Sequence, residues 1–395
     1  MSTNLSRREW LKKGLFASGA LTFGAALPMN SMGASLKEDA NYIYYSNGFK
    51  ELKRPKLPDL STLKARLFLN ENPYGPSPKA LEALVKQAPG GNHYSWNILG
   101  ELVEKIAEQE GVKPSNIMMG PGSSDLLEKT ALVSFMKGEG NIVSGDPAYM
   151  SLVNVSKSCG GTWKAVKLLD DYQHDLKKME AAIDDETKIV YITNPNNPTG
   201  TITDDKALYD FVDRVSEKVM VFVDEAYLEL SDKGLKSSMA PLVAKGKNVI
   251  VSRTFSKIHG MAGIRVGYIV GLEDTLRGIQ KITRGGMGIS GPSIMAATAS
   301  MDDSEFLEMS KTKIAESRKF TFDLLESKGI TYMPSQTNFI MFPLEVDGDT
   351  YLQKMYDQKV AVKVYKFWDK TWCRVSMGTM DEMKVFAGAL DQAIG

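Results

Sequence analysis

The chain has 395 residues, of which 43% are hydrophobic and 24% are charged, so it is long enough for one or two ordinary globular cores. Basic and acidic residues both number 48, and this balance argues against nucleic acid or an anionic membrane as the main partner. Three histidines and two cysteines make a multi-ligand zinc site unexpected. Beyond the N-terminus no uncharged apolar run reaches about 18 residues, so we expect a soluble body.

The first 34 residues differ in kind from the rest of the chain. Residues 6–13 read Ser-Arg-Arg-Glu-Trp-Leu-Lys-Lys, and an uncharged stretch of small and apolar residues follows at 14–27. This order is typical of a twin-arginine signal peptide. We therefore predict a signal peptide at 1–34, recognition by the twin-arginine export machinery, and a bacterial periplasmic location. An uncleaved membrane anchor and a basic amphipathic helix are the alternatives.

The predicted elements begin with an irregular arm at residues 35–75. Helices are predicted at Pro78–Lys86, with Ser77 as N-cap, at Leu99–Glu110 and at Leu126–Phe135. Strand-like runs then alternate with helical patterns; they lie at 117–119, 142–143, 162–166, 189–193, 219–223, 249–252 and 266–270. This alternation predicts an α/β fold with a mostly parallel sheet sandwiched by helices.

A second, smaller α+β domain is predicted at the C-terminus. Helical residues around 300–327 precede short strand-like runs, at 332–333, 338–342, 361–364 and 373–377. We place the large domain at 76–295 and the small domain at 296–395, with the arm packed against the latter.

Lys257 is the residue that most constrains the chemistry. It ends the segment Ser252-Arg253-Thr254-Phe255-Ser256-Lys257, and Arg265 follows shortly after. A lysine amine can form a Schiff base with the aldehyde of pyridoxal 5'-phosphate, while neighbouring hydroxyls and a guanidinium hold the phosphate. A lone lysine is usually a solvated surface charge, so this interpretation depends on the segments upstream.

Three upstream segments lie where ligands bind in open α/β sheets. Residues 194–200 (Asn-Pro-Asn-Asn-Pro-Thr-Gly) and 224–227 (Asp-Glu-Ala-Tyr) each follow a buried-strand run, at the strand's carboxyl end. An aspartate there can keep a pyridine nitrogen protonated. Residues 120–125 (Gly-Pro-Gly-Ser-Ser-Asp) precede a helix, whose free N–H groups suit a phosphate, although such a turn is commonly only an N-cap.

Together these motifs resemble the class I/II, fold-type I aminotransferases, which depend on pyridoxal 5'-phosphate. The segment 69–78 (Leu-Asn-Glu-Asn-Pro-Tyr-Gly-Pro-Ser-Pro) makes the chain most similar to the histidinol-phosphate aminotransferase branch. The resemblance extends from about residue 66 to the C-terminus. It is specific for fold and cofactor, and much weaker for substrate.

The resemblance implies a role for each matching residue. Lys257, Asp224 and Tyr227 would be catalytic, and no metal is expected. The residues expected to bind the cofactor are these three together with Ser123, Ser124, Tyr149, Asn197, Thr254, Ser256, Arg265 and, reaching over from a homodimer partner, Tyr94. Those expected to bind substrate are Arg374, on its α-carboxylate, with Asn197, Asn338 and Tyr74.

Several departures from the branch bear on the substrate. Ser123-Ser124-Asp125 stands where Ser-Asp-Glu is usual, and Ser95 follows Tyr94 in place of proline. Lys363 is nearest to an arginine that would grip a substrate phosphate. Residues 284–288 (Arg-Gly-Gly-Met-Gly) replace a Pro-(Tyr/Phe)-Asn segment and should loosen the pocket, while His259 replaces an aromatic. These changes argue against histidinol phosphate as the substrate.

The sequence therefore predicts an aminotransferase that moves an amino group from an L-amino acid to a 2-oxo acid. A pyridoxal phosphate-dependent amino acid oxidase or decarboxylase on the same scaffold is the main alternative, because some oxidases resemble this branch. A non-catalytic pyridoxal-binding protein is a weaker one, since every expected catalytic position is filled.

Overall fold

The computed structural model describes residues 41–46, 48–55 and 60–395. The predicted signal peptide at 1–34 and the first residues of the arm lie outside the described residues.

Strands and helices alternate along most of the chain. The strands are β1 Tyr42–Tyr44, β2 Lys50–Leu52, β3 Ala65–Arg66, β4 Ile117–Gly120, β5 Asn141–Asp146, β6 Thr162–Lys167, β7 Thr187–Thr193, β8 Met220–Asp224, β9 Val249–Thr254, β10 Gly267–Val270, β11 Phe339–Leu344, β12 Val360–Ala361, β13 Lys363–Phe367 and β14 Lys370–Ser376. The α-helices are α1 Pro78–Gln87, α2 Trp96–Glu110, α3 Ser123–Phe135, α4 Ser151–Ser158, α5 Leu176–Ala181, α6 Asp205–Val215, α7 Ala240–Ala244, α8 Glu273–Gln280, α9 Gly291–Met301, α10 Ser304–Ser327, α11 Gly348–Asp357 and α12 Met380–Ile394.

The larger sheet has seven strands in the order β4-β10-β9-β8-β7-β5-β6. β10 runs opposite to the other six strands and pairs antiparallel with β4 and β9, whereas the remaining pairs are parallel, so the predicted mostly parallel sheet is confirmed. Val221 and Val223 of β8 pack in one core, whereas Phe222 between them packs in another on the opposite face. Helices therefore cover both faces, as a parallel sheet requires.

The smaller sheet is antiparallel, with five strands in the order β1-β2-β13-β14-β11. Its first two strands come from the arm, so the arm completes the small domain. Val364 and Cys373 belong to one hydrophobic cluster, and Tyr365 and Trp372 to another. Because side chains alternate along a strand, one face of this sheet packs on its own helices and the other faces the larger sheet.

Several local predictions differ from the structure. No strand forms at 332–333, because Pro334 follows and lacks an N–H. The Met333 N–H donates a hydrogen bond to the Met341 carbonyl oxygen of β11, but no ladder continues from it. Helices α11 and α12 were not anticipated. The proposed boundary at 295 falls inside α9, whose Ala296 and Ala297 pack in a core of the larger sheet, so the small domain begins after this helix.

Within the described ranges, no helix has the length and apolar character needed to cross a bilayer. The same residues contain no group of three or more acidic, histidine or cysteine side chains placed to hold a metal ion.

Candidate active site

A cavity of about 650 Å³ opens at the carboxyl ends of β8 and β9, between the two sheets. Parallel strands bring their carboxyl ends to one edge, which explains why motifs far apart in sequence meet there. The predicted residues that line it are Ser123, Ser124, Tyr149, Asn197, Asp224, Tyr227, Thr254, Ser256, Lys257, Arg265 and Arg374.

Lys257 presents its amine to the cavity directly after β9. Its Nζ donates to the Asn70 carbonyl oxygen at 3.0 Å and lies 5.2 Å from the centre of the Tyr227 ring. Asp224, at the end of β8, is buried and accepts hydrogen bonds from the Ser252 hydroxyl at 2.7 Å and the Ala226 N–H at 3.2 Å. Burial raises the pKa of Asp224, although Ser252 and the charge of Lys257 oppose it. A buried carboxylate of this kind favours a cationic partner.

A cradle for an anion lies at the N-terminus of α3. Gly122 is the N-cap and supplies no side-chain cap, so the first N–H groups of this 13-residue helix remain available. Arg265 holds its guanidinium here through bonds to the carbonyl oxygens of Ala262 at 2.9 Å and Pro121 at 3.1 Å. A Cβ on Gly122 would lie 2.2 Å from Arg265 Nη2, so glycine is required for this close approach.

Two hydroxyl pairs complete the cavity wall. The Thr254 hydroxyl donates to Ser256 Oγ at 2.9 Å, and the Ser256 Oγ in turn lies 3.4 Å from Arg265 Nη1. Ser124 Oγ and the Tyr149 hydroxyl are 2.9 Å apart, which places the tyrosine ring at the mouth of the cradle. Burial raises the pKa of Tyr149, so it stays a neutral donor.

Arg374 reaches the cavity from β14 of the smaller sheet. It is only 5% exposed, and its Nη1 donates to Asn197 Oδ1 at 2.8 Å while Nη2 donates to the Phe68 carbonyl oxygen at 3.2 Å. Its buried Nε has no hydrogen-bond partner. An arginine held in this way can offer a planar fork to a carboxylate.

Three predicted site residues do not line the cavity of their own chain. Tyr94 is 86% exposed, so its predicted role in a partner's site stays a prediction. Tyr74 lies beside α10, with its ring 5.9 Å from Lys313 Nζ. Asn338 is fully buried and donates to the carbonyl oxygens of Asn70 and Glu71, so it supports the wall instead of facing substrate.

The structure also adds residues that the sequence did not single out. Asn70 joins three parts of the site: its carbonyl accepts from Lys257, its Nδ2 donates to the Tyr227 hydroxyl at 3.0 Å, and its N–H donates to Ser376 Oγ at 2.9 Å. Its left-handed backbone, with φ of 54°, is a conformation that asparagine tolerates. The available signal in the sequence was its place in the segment 69–78, which carries the family resemblance. Tyr45, Phe49 and Tyr365 line the outer cavity.

Two segments in which the sequence departs from the family branch, at His259 and at 284–288, lie outside the cavity lining. His259 is buried and bonds through Nδ1 to Ser300 Oγ at 2.7 Å. Residues 285–288 form a 3-10 turn whose Gly286 packs against Leu99 and Met119. The expected loosening of the pocket by this segment is therefore not seen within the chain.

The fold and the site define a class of protein that binds pyridoxal 5'-phosphate. The amine of Lys257 fits the aldehyde of this cofactor, and the buried carboxylate of Asp224 fits its ring nitrogen. The anion cradle, where Gly122 leaves room for Arg265, fits its phosphate.

Comparison with known proteins identifies the family. The family model for aminotransferase class I and II matches residues 64–390, and the chain belongs to this family. It is 33% identical to the histidinol-phosphate aminotransferase of Moorella thermoacetica over 338 residues, which cover 83% of this chain and 85% of that protein. It is 34% identical to the enzyme of that name from Akkermansia muciniphila over 318 residues, 80% and 86% of the two chains.

A solved structure adds the cofactor. The histidinol-phosphate aminotransferase of Sinorhizobium meliloti, in complex with pyridoxal-5'-phosphate, superposes with a TM-score of 0.76 at 28% identity, covering 84% of this chain and 91% of that one. The protein is therefore a pyridoxal phosphate-dependent aminotransferase with the fold-type I architecture.

Proposed function

We propose that this aminotransferase takes its amino group from an L-amino acid, passes it to a 2-oxo acid, and works as a homodimer in the periplasm after twin-arginine export. One observation carries the proposal on substrate: Lys257 and Arg374, from different sheets, line the same cavity. Such a pair can hold an amine and an α-carboxylate of a single amino acid at once.

When bound, pyridoxal phosphate supplies an aldehyde for the substrate amine and a ring that withdraws electrons from the substrate Cα. Asp224 would keep a proton on the ring nitrogen, because a buried carboxylate is stabilised by a neighbouring cation. Arg374 binds the substrate carboxylate and thereby fixes the direction of the Cα–H bond. The free amine of Lys257 would then take the proton from Cα and deliver it to the carbon that had carried the cofactor's aldehyde, so that the amino group stays on the cofactor for the 2-oxo acid.

The oxidase and decarboxylase alternatives are not favoured. The relatives compared are named as aminotransferases, and the substituted segment at 284–288 does not reach the cavity. The names of these relatives point to histidinol phosphate, whereas the departure at Lys363 supports a different donor.

The reaction is tested with purified holoenzyme and a panel of L-amino acids, with pyruvate or 2-oxoglutarate as acceptor, in air and under argon. We expect equal amounts of new oxo acid and new amino acid in both atmospheres. Ammonia and peroxide formed without an acceptor would establish an oxidase instead. Borohydride reduction followed by peptide mapping should label Lys257, and Lys257→Ala should abolish both the label and the turnover.

Export is tested separately with residues 1–40 fused to a folded reporter. The fusion should reach the periplasm, and the paired substitution Arg7→Lys with Arg8→Lys should retain it in the cytoplasm. Equal export of both fusions would overturn the proposed route.

A further inference from the structure

The arm places a buried carboxylate, Glu51, against the wall of the active-site cavity. Glu51 is 2% exposed, and both of its oxygens lie 2.9 Å from Lys363 Nζ. The Tyr45 hydroxyl donates to Glu51 Oε2 at 2.7 Å. Strand pairing fixes this arrangement, since Glu51 of β2 stands opposite Tyr365 of β13 and therefore shares a face with Lys363. The side chain is held from two directions.

The Glu51–Lys363 ion pair lies next to Arg374, so it sets the charge that surrounds the substrate side chain. Lys363 is the direct partner of Arg374 in the β13–β14 pairing, and both residues line the cavity. Burial lowers the pKa of Lys363 to about 8, with a further contribution from the positive charge of Arg374. Once Arg374 has bound an α-carboxylate, Lys363 is the cation closest to it on the opposing strand, and Glu51 already neutralises that cation.

Aromatic rings line the cavity beside this ion pair. The Phe49 ring lies 5.7 Å from the Tyr365 ring and 4.9 Å from the Tyr45 ring. Leu69 and Met150 add apolar surface to the same cavity. An uncharged, largely apolar group can bury its surface here, whereas a second anion would find an already paired cation.

We propose that the Glu51–Lys363 pair is a specificity determinant, which selects amino donors and oxo-acid acceptors with uncharged side chains and excludes those with a second carboxylate or a phosphate. The inference rests on the proposed function, since it names the substrate class of the same site. To bind Lys363, an incoming anion must displace Glu51, and the displaced carboxylate would remain buried beside it without a cation.

The test compares glutamine with glutamate, which are nearly isosteric and differ in charge, using conversion of the holoenzyme to its amine form as the readout. Phenylalanine serves as an aromatic donor. We expect the unmodified enzyme to have a kcat/KM for glutamine at least about tenfold above that for glutamate. Phenylalanine should be converted at least as well as glutamine, because the walls are aromatic. A preference for glutamate in the unmodified enzyme would overturn the inference, and this measurement needs no variant.

The variant Glu51→Gln frees Lys363 and should shift the glutamate-to-glutamine ratio toward glutamate by at least about tenfold. The double variant Glu51→Gln with Lys363→Met should lose that shift, because neither charge remains. Glu345→Gln, an exposed carboxylate at the end of β11, is the matched control and should leave the ratio unchanged. An unshifted ratio in folded, cofactor-loaded Glu51→Gln would refute the role of the pair. If no amino acid were converted at all, the proposed function itself would fail.

Discussion

Arg253 lies behind the active site in a buried cluster of charges, and its removal gives the sharpest test of the structural reasoning. Its Nη2 is 3.2 Å from Glu110 Oε2 and 3.1 Å from Glu225 Oε2, and all three side chains are less than 5% exposed. The Ser238 hydroxyl oxygen accepts from the same nitrogen at 2.8 Å. Arg253 precedes Thr254 and Glu225 follows Asp224, so the cluster anchors the strand ends that carry the site.

The substitution Arg253→Met leaves two buried carboxylates without their cation. Breaking a buried ion pair in this way costs about 3–5 kcal/mol, a large part of the 5–15 kcal/mol typical of a folded domain. Burial raises the pKa of Glu225 to about 7 even with Arg253 present, despite the opposing attraction of that arginine. Without Arg253 the pKa of Glu225 must rise further.

The pH dependence follows from that shift. The folded state then holds a proton on Glu225 over a range in which the unfolded carboxyl, with a pKa near its ordinary 4.5, has lost it. Folding stability therefore falls as pH rises from about 4.5, and the deficit of Arg253→Met should be larger at pH 8 than at pH 5.5.

Urea unfolding followed by tryptophan fluorescence at both pH values measures this deficit. Adding Glu225→Gln to Arg253→Met should recover part of it at pH 8. Arg214→Met is the control, because its pair with Glu180 is at the surface and should contribute less than about 1 kcal/mol. A deficit below about 1 kcal/mol at pH 8, or one that is equal at both pH values, would refute the assignment.

Three further predictions concern the cavity and its rim. Gly122→Ala should weaken cofactor binding at least about tenfold in an absorbance titration, because its Cβ would lie 2.2 Å from Arg265 Nη2, whereas Gly278→Ala, where a Cβ meets open space, should not. Burial raises the pKa of Asp146 from its ordinary 3.8 to about 6, so the folded state retains a proton there and stability falls as pH rises through this range. Asp146→Asn should therefore be about 3 kcal/mol more stable at pH 8 and nearly unchanged at pH 4 in urea unfolding. Arg374→Lys should lower kcat/KM for the donor about 100-fold through KM, with the cofactor spectrum unchanged, since lysine cannot form the bidentate contact; a lost spectrum would instead assign the arginine to the cofactor.

The larger sheet and most of the cavity could be predicted because two sequence signals occur together: apolar runs that mark buried strands, and polar motifs that mark the site. Each apolar run that forms a buried strand, such as 219–223, is followed at once by its polar motif, here Asp224 to Tyr227. The carboxyl ends of parallel strands meet at one edge of a sheet, so identifying the strands also places the motifs. Asn197, Asp224 and Tyr227 were located in this way.

The sequence predicted an arm that packs against the small domain, but not the strands of the arm or their pairing. Its strands are three residues long, and the pairing of β2 with β13 joins positions more than 300 residues apart, so no local periodicity marks it. Glu51 would ordinarily be assigned to the surface, because an isolated carboxylate is too costly to bury. Its partner Lys363 was noticed only as a departure from a family pattern, and the pairing between them is visible only in three dimensions.

The same dependence on tertiary packing sets the spacing of the two groups that would hold a substrate. Lys257 follows a strand of the larger sheet, and Arg374 lies in a strand of the smaller one. Asn70 connects them: its carbonyl accepts from Lys257 Nζ at 3.0 Å, and its side-chain Oδ1 accepts from the Ser376 hydroxyl at 2.9 Å, two residues beyond Arg374. Asn197, after β7, fixes the arginine from the other side at 2.8 Å. Catalytic geometry in this protein is therefore a property of the contact between the sheets, and a change that shifts the arm or the loop at Asn70 alters the site without touching any catalytic residue.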